Sequence, residues 1–376
     1  MIIPCLLFMK SCAPLSPALA MIVVIVLCIA IAGCSEGVVS YDILVTKFDA
    51  GGHMAWSTKI GSGNQNLATA VTETPDAGYA VAGLVADSPR ATTYPRVIRL
   101  DPDGRVLWDR TQDLSDVYSV AITGAPDGGF VVAQNTNNFD SGKVSKIDAD
   151  GQPVWNRTID SALRAIIPAR DGGFVLAGSR TFYIDANGTI LWNRSFSSTS
   201  IREAAGGGFI AERSGVPYPD ASVFYLDNNG TVVWTTPVGS RESGKITSLF
   251  EDPTGDVEAV YTFSDPTKNK DVVMYMESEQ VTLGRGGNIT GRQPIVAVDP
   301  LTRTTDGGYA FLAYPFPGSS AFTTLPHSGS SLHFVRLSPG GAVVRDQSLG
   351  LSPAASPVSI LQTRDGGYLT VVLVPS

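Results

Sequence analysis

The sequence predicts an all-β fold, a seven-bladed β-propeller of four-stranded antiparallel blades over residues 41–376. Three observations predict it. Two short units alternate along the chain, each unit reads as a β-hairpin, and the two units occur in equal number, so that only a closed ring pairs every hairpin.

The first unit is Asp-x-x-Gly-x-x-x-Trp preceded by an apolar run. It occurs as VIRLDPDGRVLW (97–108), VSKIDADGQPVW (144–155), FYIDANGTILW (182–192) and VFYLDNNGTVVW (223–234), and as LVTKFDAGGHMAW (44–56) with the Gly at 52. Trp56, Trp108, Trp155, Trp192 and Trp234 are all the tryptophans of the chain, at intervals of 52, 47, 37 and 42 residues, and blades of about 40–50 residues are usual for propellers. The Asp caps its own turn and the Gly turns the backbone, so this unit forms strands C and D of a blade.

The second unit is Asp-Gly-Gly-aromatic followed by a strand of small residues: PDAGYAVAG (75–83), PDGGFVVAQ (126–134), RDGGFVLAG (170–178), AGGGFIAER (205–213), TDGGYAFLA (305–313) and RDGGYLTVV (364–372). A β-branched or apolar stretch such as VYSVAIT (117–123) or VSILQT (358–363) precedes it. Two glycines between such runs read as a tight hairpin, strands A and B. A degenerate blade follows in 252–263 with 271–283, and 333–346 supplies one more C–D hairpin.

Seven A–B and seven C–D hairpins result. The chain opens with an unpartnered C–D hairpin (43–59) and closes with an unpartnered A–B hairpin (358–373). Joined, they complete one blade. Left apart, both would be exposed sheet edges, which proteins avoid.

Residues before the propeller read as an address. Met21–Gly33 is a charge-free apolar run, shorter than the roughly 20 residues of a spanning helix and suited to a signal-peptide core. It ends in Ile31-Ala32-Gly33-Cys34, which resembles the prokaryotic lipobox and makes Cys34 the expected lipidation site. The reading is a signal peptide over 1–33, with a retained signal anchor (Leu15–Gly33) as the alternative, then a lipidated Cys and short tether over 34–40. Either places the propeller outside the cytoplasmic membrane.

Composition narrows the partners. The formal charge is −8 with 16% charged residues and no basic run, which argues against nucleic acid and against binding anionic lipid through a basic face. All four cysteines, Cys5, Cys12, Cys28 and Cys34, lie at the N-terminus, so the propeller itself holds no disulfide and no thiolate metal site.

The tryptophan unit resembles the tryptophan-docking repeat of pyrroloquinoline-quinone-type propellers, and the DGG[FY] unit resembles repeats of archaeal (especially methanogen) and bacterial surface propeller lipoproteins. The resemblance covers 41–376 and implies that Trp108, Trp155, Trp192 and Trp234 pack between blades, with Trp56 in the closing blade. Quinone enzymes of that type add a Ca²⁺ site, an Asp base and often a cysteine pair, none of which can be placed on this sequence.

No catalytic set stands out. His53, His327 and His333 lack metal-ligand spacing, no G-x-S-x-G elbow occurs, and the Asp-rich turns 101–104 and 148–151 lack the further ligands of a Ca²⁺ loop. No metal or cofactor is therefore expected. Binding residues are expected in the variable B–C loops 86–95, 214–221, 263–270 and 314–331 on one face of the disc, with Tyr94, Tyr218, Tyr314 and Phe316 as the exposed aromatics. Sequons at Asn156, Asn187, Asn193, Asn229 and Asn288 are candidate glycan acceptors. The functional expectation is a non-enzymatic, lipid-anchored surface propeller, monomeric, that binds an envelope or extracellular protein or glycan. The alternatives are a quinone-dependent or glycan-active enzyme with a central-channel site, and an envelope assembly scaffold.

Overall fold

The computed structural model describes residues 40–376 apart from 62–64, 88–91, 113, 137–140, 214–219, 240–243, 253, 265–275, 297–298, 316–321 and 324–329. The described residues form strands, turns and bends, with no helix among them. The strands make seven antiparallel sheets.

The chain starts in the last blade with β1 (Tyr41–Phe48) and β2 (Met54–Ile60). Blade 1 is β3 (Gln65–Glu73), β4 (Tyr79–Asp87), β5 (Thr92–Leu100) and β6 (Val106–Thr111). Blade 2 is β7 (Val117–Gly124), β8 (Phe130–Thr136), β9 (Gly142–Ile147) and β10 (Pro153–Ile159). Blade 3 is β11 (Leu163–Pro168), β12 (Phe174–Gly178), β13 (Thr181–Ile184) and β14 (Ile190–Arg194). Blade 4 is β15 (Ser200–Glu203), β16 (Phe209–Arg213), β17 (Ala221–Leu226) and β18 (Val232–Gly239). Blade 5 is β19 (Lys245–Glu251), β20 (Val257–Ser264), β21 (Met276–Leu283) and β22 (Ile289–Ile295). Blade 6 is β23 (Leu301–Arg303), β24 (Tyr309–Pro315), β26 (His333–Leu337) and β27 (Val343–Ser348), with the two-residue β25 (Phe322–Thr323) beside β24. Blade 7 adds β28 (Ser356–Gln362) and β29 (Tyr368–Pro375) to β1 and β2, in the order β2-β1-β29-β28.

Closure is as the hairpin count predicts. Strand β1 pairs with β29 over eight residues, from Tyr41↔Pro375 to Phe48↔Tyr368. The A strands β3, β7, β11, β15, β19, β23 and β28 neighbour one another in turn, and β28 returns to β3, so they line the central channel. The D strands form the outer rim and are exposed along most of their length.

Burial follows from this geometry. Strands B and C carry unbroken apolar runs such as Phe130-Val131-Val132-Ala133 because both their faces meet a neighbouring blade. The core accordingly divides into seven clusters, one per inter-blade interface. The cluster of Val81, Ile98 and Leu100 with Val45 and Val371 joins blades 7 and 1, and that of Ile210 and Val223 with Val257 and Val281 joins blades 4 and 5.

Both hairpin types bring their turns to the same face of the disc. In the A–B turn the first Gly takes a left-handed φ, as at Gly128 (84°). The second Gly is needed for a different reason: a Cβ at Gly129 would stand 2.4 Å from the carbonyl oxygen of Ile147, at the end of strand C. Blade 1 breaks the first requirement, since Ala77 holds φ 62° where the other turns have Gly. An L-residue in that region is strained by about 1–2 kcal/mol. Ala77→Gly should therefore raise stability by about 1 kcal/mol in urea unfolding, whereas Gly129→Ala should lower it by about 1–3 kcal/mol. An unchanged midpoint for Ala77→Gly would mean that the turn is not strained.

Candidate binding site

The turns of the repeat tie blade to blade and also tie turn to strand C within a blade, and the site is recognised as the place where two adjacent blades lack the second kind of tie. The tryptophans come first. Each indole of strand D lies across the glycine of the next blade's C–D turn and donates Nε1–H to a carbonyl of that turn: Trp56 to Pro102, Trp108 to Ala149, Trp155 to Ala186, Trp192 to Asn228 and Trp234 to Arg285, at 2.8–3.0 Å. Only glycine fits beneath, because a Cβ at Gly104 would reach within 2.5 Å of the Trp56 ring. Arg345 replaces the sixth tryptophan, its side chain lying over Gly52. Gly291 stands at the seventh position, between blades 5 and 6. There Glu258 instead accepts from both Arg303 and the Tyr309 hydroxyl within the interface.

In five blades the Asp of the A–B turn reaches a buried or partly buried polar group near the end of strand C. Asp76 pairs with Arg99 (2.6 Å), Asp127 with Lys146 (2.5 Å), Asp365 with Lys47 (2.8 Å) and Asp306 with Arg336, while Asp171 accepts from the Tyr183 hydroxyl. Burial alone would raise the Asp365 carboxyl, but hydrogen bonds from Lys47, the Thr363 hydroxyl and the Gly367 N–H outweigh it and hold the group at about 2. Hydrogen bonding from Thr74 and the Arg99 charge lower Asp76, and Lys146 lowers Asp127. Burial raises the Tyr183 phenol, and its bond to Asp171 raises it further.

A third tie follows a strict rule. The second residue of an A–B turn offers its backbone N–H to the last residue of strand A in the next blade. Arg170 donates to Glu203 (3.2 Å), Ala205 to Glu251 (2.6 Å), Thr305 to Gln362 (2.7 Å) and Arg364 to Glu73 (3.0 Å). At the three other interfaces the turn residue is proline in the sequence (Pro75, Pro126 and Pro253) and the facing residue is Gly124, Pro168 or Arg303. Proline has no N–H, so no acceptor is required. Two of these prolines, Pro75 and Pro126, border a cavity of about 520 Å³ that also meets Gly124 and Pro168.

Blades 4 and 5 depart from the second tie together. Gly206 replaces the turn Asp, and its strand-C counterpart is Tyr225, whose hydroxyl donates to Gly207 O at 2.5 Å. In blade 5 the pair becomes Thr254 and Thr282. With no carboxylate and no long cation there, a cleft of about 360 Å³ opens on the turn face between the two blades. Tyr225 and Trp234 are stacked in its wall at 5.8 Å, Glu251 and Arg285 supply the charge, and Gly206 and Gly255 leave the mouth open. Glu251 Oε2 is held by Ala205 N–H, and Arg285 is fixed by Nε–H···O=C to Thr254 at 2.8 Å. The cleft therefore presents a pre-positioned acid, a pre-positioned guanidinium and an aromatic edge. That set suits binding a partly polar ligand.

The residues expected from sequence fall elsewhere. Tyr314 is not an exposed loop aromatic. It belongs to β24, is fully buried, and donates to Ala355 O, because the strand runs on to Pro315 before the loop begins. Tyr94 likewise lies within β5, half-buried and opposite Val85, since β4 and β5 extend into the expected loop 86–95. Tyr218, Phe316, His327, Cys34 and the leader 1–33 lie outside the described residues, as do most of the loops 214–221, 263–270 and 314–331. His53 and His333 each contact a single carboxylate, Asp49 and Asp346. Among the described residues no group of three or more His, Cys, Asp or Glu is placed to hold a metal. All five sequon asparagines are exposed on the rim. The cleft was missed because its signal is a substitution within a repeat, visible only when the turns of all blades are set side by side.

Residues 140–294 match the family model described as outer membrane protein assembly factor BamB. No curated protein sequence matches the chain. Among solved structures, Kuenenia stuttgartiensis hydrazine synthase is similar with a TM-score of 0.57 at 14% identity, over 85% of this chain and 98% of that one. A catalytically inactive virginiamycin B lyase from Staphylococcus aureus gives 0.54 at 11% over 88% and 100%, and the Pan2 WD40 domain of Neurospora crassa gives 0.54 at 12% over 82% and 89%. At such identities the likeness is one of fold.

Two outcomes are expected. Trp108→Ala should cost about 3 kcal/mol in denaturant unfolding, more than Arg345→Ala, because the indole fills the space over its glycine and the guanidinium only part of it. The Asp365 carboxyl is depressed in the folded chain, so its contribution is complete above the unfolded value near 3.8 and is lost as pH falls towards about 2. Unfolding midpoints should drop across that window, and Asp365→Asn should flatten the drop.

Proposed function

We propose that this chain is an exported, lipid-anchored, non-enzymatic propeller that binds a protein or glycan of the cell envelope, with the cleft between blades 4 and 5 as its contact site. One observation carries the reading. The repeat braces the turn face at nearly every position, and where two adjacent blades both drop the pair that joins the A–B turn to strand C of the same blade, an aromatic and charged cleft stands in its place. Local departures from an otherwise consistent pattern are where function is expected. The cleft residues 205–285 also fall inside the segment that matches the assembly-factor model, which supports a binding role over a catalytic one. The apolar run ending at Cys34 supports the address, and the tether before Tyr41 is short.

Gly206 makes the reading testable, because a Cβ there meets nothing within 4 Å. A photo-crosslinking side chain at position 206, in cells that make the protein, should capture a defined partner that the same probe at Val106 on the rim does not. Filling the cleft with Gly206→Trp should abolish capture by a probe at Ala205 while leaving the unfolding midpoint unchanged. Equal capture at positions 206 and 106, or turnover of an envelope substrate by the purified chain, would overturn the proposal.

A further inference from the structure

The five sequons converge on one part of the molecule. Asn156 and Asn193 lie on β10 and β14, and Asn187, Asn229 and Asn288 lie in the C–D turns before β14, β18 and β22. All are exposed, as are the hydroxyl residues completing their sequons, Thr158, Thr189, Ser195, Thr231 and Thr290. They occupy four consecutive blades, 2 to 5, and blades 6, 7 and 1 have none.

The strands they mark are edges. Each D strand pairs on one side only and begins with exposed apolar residues: Val154 at 55% exposure, Leu191 at 55%, Val233 at 60% and Ile289 at 40% in blades 2 to 5. An unpaired strand edge bearing exposed apolar side chains is a template for self-association, which polar groups on the edge suppress. Asn156 and Asn193 lie two residues beyond Val154 and Leu191, which sit at the β-bulges near the start of β10 and β14. Turn chemistry accounts for asparagine before Gly188 and Gly230. It does not account for Asn156 and Asn193 within strands. Asn193 Oδ1 accepts from Arg180 at 2.7 Å, and the residue is exposed.

We infer that these five asparagines carry N-linked glycans, which cover the apolar outer edges of blades 2 to 5 and leave the rim of blades 6, 7 and 1 bare. In the modification, Asn Nδ2 forms a bond to the anomeric carbon of a sugar activated on a lipid phosphate. The anomeric C–O bond breaks, the phosphate departs with the electron pair, and the nitrogen loses one proton. The inference rests on the exported address proposed above and is independent of the cleft.

The full chain, purified from cells that make it, should give glycopeptides at residues 156, 187, 193, 229 and 288 on peptide mapping. Unmodified asparagine at all five in chain recovered from the cell exterior would overturn the inference while leaving the binding proposal intact. Chain recovered only from the cytoplasm would overturn both. A variant with Thr158→Ala, Thr189→Ala, Ser195→Ala, Thr231→Ala and Thr290→Ala keeps every asparagine and turn. It should lose all five mass increments, keep its unfolding midpoint, and self-associate several-fold more strongly in sedimentation. Sedimentation matching the unaltered chain would remove the shielding role.

Discussion

The ring rests on the contact between the indole of one blade and the glycine of the next. A propeller closes only if its wedge-shaped interfaces share one geometry, because an error at each would add around the circle. The indole sets that geometry by lying flat on backbone that no side chain obstructs, and its N–H···O=C bond fixes the register of the two turns. Five interfaces use tryptophan. Arg345 over Gly52 achieves a similar contact with a planar group of comparable reach. The interface that lacks it, between blades 5 and 6, carries Glu258, Arg303 and Tyr309 instead. A buried carboxylate there is tolerable because both a guanidinium and a phenol donate to it.

The other ties divide the work by range. Where the A–B turn keeps its Asp, that residue acts within its own blade: in blades 1, 2, 6 and 7 it neutralises a cation of strand C, and in blade 3 it accepts from Tyr183. The Glu or Gln at the end of strand A acts between blades, satisfying a turn N–H. Where Pro75 and Pro126 remove that N–H, the acceptor is absent too, so donor and acceptor are matched at the interfaces whose turn residues are described. Ordinary satisfaction of backbone polar groups thereby leaves a record in the sequence. The cleft between blades 4 and 5 keeps the inter-blade bond from Ala205 to Glu251 while dropping the intra-blade pairs. It opens without loosening the ring, which is the condition for a pre-formed site on a rigid scaffold.

Much of this was legible in the residues. Gly52, Gly104 and their counterparts, the five tryptophans, and the pairing of 43–59 with 358–373 follow from turn chemistry and counting, because turns depend on a few local residues and closure on parity. The site was less legible. Tyr314 and Tyr94 read as loop aromatics because they fall in the variable segments 314–331 and 86–95 between strands B and C. The strands instead continue through Pro315 and Pro95, and burial takes both rings partly or wholly from solvent. Gly206 reads as one more turn glycine until the absent carboxylate is seen to leave space.

By itself, then, the sequence determined the all-β class, the number of blades and the ring closure, since periodic turn residues act over a few positions and their count must balance. Tertiary structure alone decided which charges meet, that Asp365 holds Lys47 across 318 residues of chain, and that Tyr225, Trp234, Glu251 and Arg285 share one cleft. Those relations depend on how blades lie side by side, and residues brought together that way carry no local mark of their neighbours.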